Sequence, residues 1–453
     1  MTESFSAINI GYLFLIIALY VLSQLKSFKK RSSTIKFIPL SLIIGVVASI
    51  CINLVPYKLD FESFSKIAFH IFNMSVISMG LTTTSSKEGQ HVTHKTILGG
   101  IWMTAIFTAI LCLQSITGFG SVTLFNTIGN NSFFEGYGLL SGHGFAQGSG
   151  HSTAIGSVWE SEYDLNGAIS IGLTFSAIGY LIAVVVGVPF TKWLLMKTNH
   201  NVIVQTKDEL KIKNIKESTR KPLKIPKYIS NILTIITIYI ISIIIAFILR
   251  DVVLRDVLKD FSVAQMISNI ILGLIFVIGL AIAILFKTFL TIIKRNSLLN
   301  NHIQKRSTSA LIDILIISTF LSIEYSIISR VGIPILMIIL CNIIITCLAF
   351  YLIRLKSKAN YLNERVAALL GTTFGSLANG LILLKILDPK IKSPVYYELA
   401  LMNFYSAFTL GHIMFIIFAI GEWNNLSIIM GIYFITFILS LVIARFVEMK
   451  LKK

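Results

Sequence analysis

Charge is what this chain has least of. Only 13% of its 453 residues are Asp, Glu, Lys or Arg, against 55% hydrophobic, and the mean hydropathy is +0.81. That shortage excludes an ordinary soluble domain, in which about a quarter of the residues are charged, and leaves lipid as the solvent for most of the chain. A bilayer offers no water to unpaired amides, so spanning segments must be helices or a closed barrel. Long unbroken apolar runs favour helices over an outer-membrane barrel. Acidic residues are scarcer still, 21 against 39 Lys and Arg, for a net charge of +18. In a soluble protein such an excess would suggest nucleic acid. Here the basic residues sit in short loops beside apolar runs, where they set topology, and no nucleic-acid partner is expected. The four cysteines, Cys51, Cys112, Cys341 and Cys347, lie within apolar segments without metal spacing, and read as small buried hydrophobes. No basic residue precedes the first apolar run, Ala7 to Leu25, and no small-residue cleavage site follows it. It is expected to stay as the first span rather than to be removed as a signal peptide.

Eleven segments are long enough to cross a bilayer: 7–25, 37–55, 66–82, 96–117, 167–191, 228–249, 262–286, 310–328, 331–353, 396–420 and 426–446. The third is the weakest, because His70 and Asn73 interrupt it. Basic clusters orient them. Lys26, Lys29, Lys30 and Arg31 follow the first span, nine Lys or Arg against three acids fill 196–227, and Lys287, Lys294, Arg295, Lys305 and Arg306 follow the seventh. Together with Lys87, Lys95, Arg354, Lys356, Lys358, Arg445 and Lys450, all of these fall on one side if the amino terminus is outside. Only Arg330 runs against the rule. The agreement requires two further glycine-broken apolar stretches, 136–160 and 361–387, to cross zero times or twice. They are candidates for re-entrant hairpins, the first entering from outside and the second from the cytoplasm. The expected fold is therefore all-α and membrane-embedded, with about 11 transmembrane helices in an inverted 5+5 repeat. Residues 1–195 form the first repeat, 196–227 a basic cytoplasmic linker, 228–420 the second repeat, and 421–453 an added helix with a basic tail. Phe175-Ser176-Ala177 after the first hairpin and Tyr405-Ser406-Ala407 after the second form a faint echo of the repeat.

Chemistry is expected at the hairpins. Seven of the chain's 29 glycines fall within 135–156. At up to about 1 kcal/mol each relative to alanine, they disfavour one continuous helix and predict two half-helices meeting near Gly148-Ser149-Gly150. The second break is expected between Gly371 and Ser376. Broken backbone at membrane depth is tolerated only where it is packed in protein or lines a wet cavity. The half after each break opens with hydroxyl residues, Ser152 and Thr153 in one and Thr372, Thr373 and Ser376 in the other, which are natural helix N-caps. Two such amino-terminal ends would hold a carboxylate, while opposing carbonyl ends and oxygens such as that of Asn379 suit a sodium ion. The competing reading is that the glycines only let helices approach closely. Outside the hairpins, His412 could carry a proton but reads better as a neutral histidine bonded across helices. Asp313 and Glu324 read as interfacial. His91 and His94 have zinc-like spacing but no third ligand nearby, and His143 and His151 flank the first break without forming a metal motif.

Gly144-Phe145-Ala146-Gln147-Gly148-Ser149-Gly150, with Ser152 to Glu160 after it, resembles the first signature of the glutamate:sodium symporter family of bacterial secondary transporters. Gly371-Thr372-Thr373-Phe374-Gly375-Ser376-Leu377-Ala378-Asn379-Gly380, continuing to Asp388-Pro389, resembles the second. The chain departs from the pattern where Ser149 separates two glycines and where Phe374 and Leu377 replace small residues. The resemblance implies sodium-coupled glutamate uptake across the bacterial inner membrane, a homodimer, and elevator-type movement of a hairpin-bearing domain. A proton-coupled dicarboxylate carrier and, further off, a channel or an integral-membrane enzyme are the alternatives; no catalytic residue and no cofactor are expected beyond sodium as coupling ion. The residues expected at the substrate are Gln147, Ser149, Gly150, Ser152, Thr153, Thr372, Thr373, Gly375, Ser376 and Asn379. Those expected at sodium are Gly148, Ser176, Gly371, Asn379 and Ser406. Coupling also follows from energetics, because a monoanion entering a cell held at about 100 mV negative works against about 2.3 kcal/mol. The charge bias is tested by labelling with a membrane-impermeant thiol reagent: Glu217→Cys should react only from the cytoplasm and Asp256→Cys only from outside.

Overall fold

The computed structural model describes residues 10–24, 39–54, 60–82, 94–129, 132–197, 225–258, 261, 264, 267–268, 271–295, 298–375, 377–388, 393–423 and 425–451. Its regular elements are helices throughout, with no strand among the described residues. Many are rich in isoleucine, which is a mediocre helix former in water. In hydrocarbon the alternative to the helix is a bare amide, and that larger penalty decides the conformation. In chain order they are α1 (Ile10–Gln24), α2 (Leu40–Leu54), α3 (Phe61–Leu81), α4 (His94–Gly129), α5 (Gly136–Gly142), α6 (Ser149–Tyr163), α7 (Ala168–Val185), α8 (Gly187–Lys197) and α9 (Ile225–Phe247). These are followed by α10 (Ile275–Ile292), α11 (Asn301–Leu321), α12 (Tyr325–Lys356), α13 (Leu362–Thr373), α14 (Leu377–Leu387), α15 (Val395–Thr409), α16 (Gly411–Phe418) and α17 (Leu426–Leu451).

Among the described residues, seven helical segments are long and apolar enough to cross a bilayer, and eight if the pair 395–406 and 411–418, bent by 47°, counts as one span. The expected tenth span, 396–420, is thus bent between α15 and α16. Helices α1 and α2 are shorter apolar helices within the first two expected spans. Of the expected seventh span, 262–286, the residues 262–263, 265–266 and 269–270 lie outside the described residues; after a turn at Ile271–Leu274, regular helix runs from Ile275 to Ile292. The sixth continues past Phe247 through a π-helical stretch to Val257, and the eighth begins earlier, at Asn301. His70 and Asn73 do not interrupt α3. His70 bonds the Tyr239 hydroxyl of α9, and the Asn73 amide nitrogen donates to Phe69 O at 2.8 Å, so both side chains are anchored inside protein, with Asn73 Oδ1 left buried without a partner. Of the cysteines, Cys112 is buried as expected but Cys51 is exposed on α2. His91 lies outside the described residues, as does the 198–224 part of the linker.

Helix α4 is the centre of the bundle. Its 36 residues extend about 54 Å at 1.5 Å per residue, and 78% of its most apolar stretch is buried by its neighbours α5, α12, α15 and α17. It runs past the expected end at 117 because its last third lies against α5. A β-carbon on Gly118 would fall 2.2 Å from Gly138 O, and one on Gly138 would fall 2.4 Å from Gly118 O. Here the close-packing reading of the hairpin glycines holds. The second broken pair closes on itself in the same way: a β-carbon on Gly371 would meet Asn379 O at 2.6 Å, and one on Gly380 would meet Thr372 Oγ1 at 2.2 Å. In the first pair, α5 leans on α4 and α6 on α7, and the two halves meet through the turn between them.

An ion pair ties the second broken pair to the bundle. Arg365 of α13 and Glu398 of α15 are both buried and form two parallel bonds, Nε to Oε2 and Nη2 to Oε1, each 2.7 Å. The guanidinium carbon stands 5.7 Å from the Trp102 ring centroid. Gly99 of α4 makes the room, since a β-carbon there would fall 2.0 Å from Glu398 Oε1. Glu398→Leu alone should destabilise the fold by about 3–5 kcal/mol by stranding a buried cation. The double variant Arg365→Leu with Glu398→Leu should be the more stable of the two, as read from melting of the purified protein in detergent.

Candidate functional site

The two breaks form where the sequence cannot continue a helix. After α5 the helix widens into a π-helical turn, His143–Gln147, and then stops at Gly148, whose φ of 80° and ψ of −172° are open to glycine and hardly to any other residue. Helix α6 follows with no N-cap side chain bonded to its first turn, where the N–H groups have no acceptor within the helix. Helix α13 ends at Thr373, and the turn at Phe374–Gly375 closes with the Gly375 N–H donating to Thr372 O at 3.2 Å.

The breaks meet each other. A β-carbon on Gly148 would lie 2.7 Å from Gly375 O and 3.1 Å from the Tyr180 hydroxyl of α7. One on Gly375 would lie 2.3 Å from Asn379 Nδ2 and 2.8 Å from the Tyr180 ring, and one on Gly179 would lie 2.8 Å from Phe374 O. Gly148, Gly179 and Gly375 therefore allow three chains to converge at one point. Around them, the Ser149 and Tyr180 hydroxyls are 3.2 Å apart, and the Ser152 and Ser176 hydroxyls 3.1 Å apart. The Phe145 and Phe374 rings meet edge to face at 6.1 Å, closing one flank of the junction with apolar surface.

His143, fully buried, orients Gln147. Its Nδ1 is 2.6 Å from Gln147 Oε1, and its Nε2 is 2.6 Å from the Tyr433 hydroxyl of α17. An amide oxygen has no hydrogen to give, so Nδ1 carries the proton and, in the neutral ring, Tyr433 donates to Nε2. With its oxygen occupied, Gln147 has its NH2 group left to donate. His151 is no ligand: its ring lies between Phe72 and Phe276, and Nδ1 donates to Gln147 O at 3.3 Å. His412 bonds Thr436 across to α17 at 3.0 Å, as a neutral histidine would.

Of the residues expected from sequence, the structure brings Gln147, Gly148, Ser149, Gly375 and Asn379 to the junction, with Ser152 and Ser176 one turn away. The capping expectation needs correction. Ser152 and Thr153 lie inside α6 and turn their hydroxyls back to Gly148 O and Ser149 O. Thr372 and Thr373 precede the second break, in the last turn of α13, with hydroxyls on Ala368 O and Leu369 O. A helical threonine bonds its i−4 carbonyl readily, and the helix yields only at Phe374–Gly375. Gly150 packs against Phe72, whose ring would lie 1.8 Å from a β-carbon there, and Gly371 packs against α14. Ser406 gives its proton to Asn403 O of its own helix. Ser376 lies outside the described residues. Sequence reasoning missed Tyr180, although it stands one helical turn after Ser176, and also Tyr433, Glu398, Gln114 and Asn342.

Helices broken inside an apolar bundle, with uncapped amides and neutral hydrogen-bonding side chains at the breaks, are the construction of membrane carriers. The comparison with known families agrees and narrows the class. The chain belongs to the sodium/glutamate symporter family, whose model matches residues 4–384 and so includes both breaks. Comparison with curated proteins and with solved structures gives no match. Family membership and the apolar helices make this a multi-pass membrane protein of symporter type.

The glycine junction is open to direct test. Gly148→Ala combines a strained φ with a clash on Gly375 O and should lower transport by at least about tenfold, given strain of about 1–3 kcal/mol. Gly120→Ala, where a β-carbon meets nothing within 4 Å, should transport like the parent; initial uptake rates normalised to membrane expression check both.

Proposed function

We propose that this protein is a sodium-coupled glutamate symporter and that it binds a substrate carboxylate at the junction of the two breaks. The observation that carries the reading is a set of neutral donors at one point. Asn379 Nδ2 is buried without a partner, Gln147 has its NH2 group to offer, and the first turn of α6 has uncapped N–H groups with partial positive charge. Such a set prefers a carboxylate to a carboxamide or an ammonium group. A neutral site also leaves the anion's charge to be balanced by sodium, which makes coupling a requirement of binding as well as of energetics.

The wider reading follows the same logic. Two broken pairs placed after the fourth and ninth spans support an inverted repeat of residues 1–195 and 228–420, in which the pairs are re-entrant hairpins and eleven spans place the amino terminus outside. Alternating access by elevator-type movement, a homodimeric assembly and a bacterial inner-membrane location are proposed with it, in accord with the family and the basic-residue bias.

The test is uptake of radiolabelled glutamate into proteoliposomes. An inward sodium gradient should drive accumulation, and choline with a pH gradient should not; accumulation under choline would establish the proton-coupled alternative. Asn379→Asp should raise the KM for glutamate by more than about tenfold, because it sets a like charge beside the bound carboxylate. Asn379→Ala should raise it less.

A further inference from the structure

Beside the junction lies a second polar cluster, assembled from helices that the sequence marks as plain apolar spans. Gln114 of α4 is fully buried and donates its amide to Thr346 Oγ1 of α12 at 3.0 Å and to Thr373 O, the last residue of α13, at 3.2 Å. One turn before Thr346, Asn342 is equally buried and donates to Ser141 Oγ of α5 at 2.9 Å. Ser141 passes its proton to Gly138 O at 2.7 Å, with Gln114 O also within 3.3 Å. Gln114 spends both N–H groups on these bonds and Asn342 is anchored through its nitrogen, while Gln114 Oε1 and Asn342 Oδ1 are left with no partner.

Two buried amide oxygens without donors are an uncompensated loss of hydration unless something positive meets them. Both amides are anchored through nitrogen, so their oxygens are held in place. Nearby stand the Thr346 and Ser141 hydroxyl oxygens and Thr373 O, which keeps a lone pair at the carbonyl end of a half-helix, where partial negative charge gathers. The cluster contains hard oxygens and no carboxylate. That chemistry suits a monovalent cation, since divalent ions take charged ligands, and it offers no group able to carry a proton.

We infer that Gln114 Oε1 and Asn342 Oδ1 are ligands of a sodium ion held between α4, α5, α12 and the carbonyl end of α13. The inference rests on the symporter reading and deepens it by placing a coupling ion. Because Gln114 is bonded to Thr373 O, an ion on Gln114 fixes the residue just before the Phe374–Gly375 break, and with it the turn that faces Asn379. Sodium binding then prepares the carboxylate site, which gives the coupling a physical route.

The test is equilibrium binding of radioactive sodium to the purified full-length protein without glutamate, at constant ionic strength made up with choline. The parent should bind saturably. Gln114→Met and Asn342→Leu, which remove one oxygen each, should weaken apparent sodium affinity at least tenfold. Asn342→Asp, which keeps the shape and adds charge, should bind sodium more tightly than the parent and secures the test if the leucine variant fails to fold. If the parent accumulates glutamate without sodium, the symport reading falls and the site falls with it. If the parent binds sodium saturably and the folded variants, Asn342→Asp included, bind it with unchanged affinity, symport stands and the site is overturned, the cluster then holding no more than water.

Discussion

The contact of Gly148 with the carbonyl of Gly375 is where the architecture is decided, because a bilayer tolerates interrupted backbone only when something other than lipid covers it. Each break exposes amides or carbonyls that a continuous helix would have satisfied. In this protein they are covered by the other break and by the glycine-lined face of α7. Side chains larger than hydrogen at positions 148, 179 or 375 would hold the chains apart and open a gap in a place where gaps are costly. The supporting contacts follow from this requirement. Gly118 against Gly138 sets α5 on α4, and Gly371 with Gly380 closes α13 on α14, so both breaks are delivered to the same point.

The distribution of charge is the complement of that arrangement. Arg365 and Glu398 hold each other through two parallel bonds, with Trp102 beside the guanidinium, and no ionic side chain is bonded into the described junction. What faces the junction is neutral: the Gln147 amide fixed by His143, the Asn379 amide, hydroxyls and helix amides. A permanent cation there would hold a carboxylate tightly and release it slowly, whereas neutral donors give a site whose affinity can be set by a mobile ion. The geometry of Gln147 depends in turn on Tyr433, which reaches His143 from the last helix, so a helix remote in sequence sets the orientation of a residue in the first signature.

Much of this was legible in the sequence, for identifiable reasons. Glycine density located both breaks, since backbone conformation is a local property, and Gly148 is indeed where the first helix stops. Which glycines serve the site and which serve packing was not legible. Gly150 stands two residues from Gly148 and meets Phe72 from α3, and no local pattern announces a neighbour seventy-odd positions away. The hydroxyl residues misled for a related reason: a threonine can cap a helix or bond back to its own fourth preceding carbonyl, and the choice depends on where the break falls. Gln114, Asn342 and Tyr180 were passed over because attention to ionisable groups overlooks neutral polar side chains, which are cheaper to bury and become visible only through their partners across helices.

On the proposed alternating-access reading, the same contacts limit how the two sides of the membrane are reached in turn. The Arg365–Glu398 pair cannot be pulled apart in a low-dielectric setting without stranding two charges, so α13 and α15 must travel together, with α4 lining them through Gly99 and Trp102. The junction itself is held by neutral contacts, a glycine against a carbonyl and one long hydroxyl pair, which lose little if water or substrate takes their place. A structure whose ionic ties are buried to one side and whose polar neutral contacts meet at the breaks will therefore open at the breaks first. On the proposed reading, opening there would admit a carboxylate to the unpaired Asn379 amide rather than to a packed apolar face.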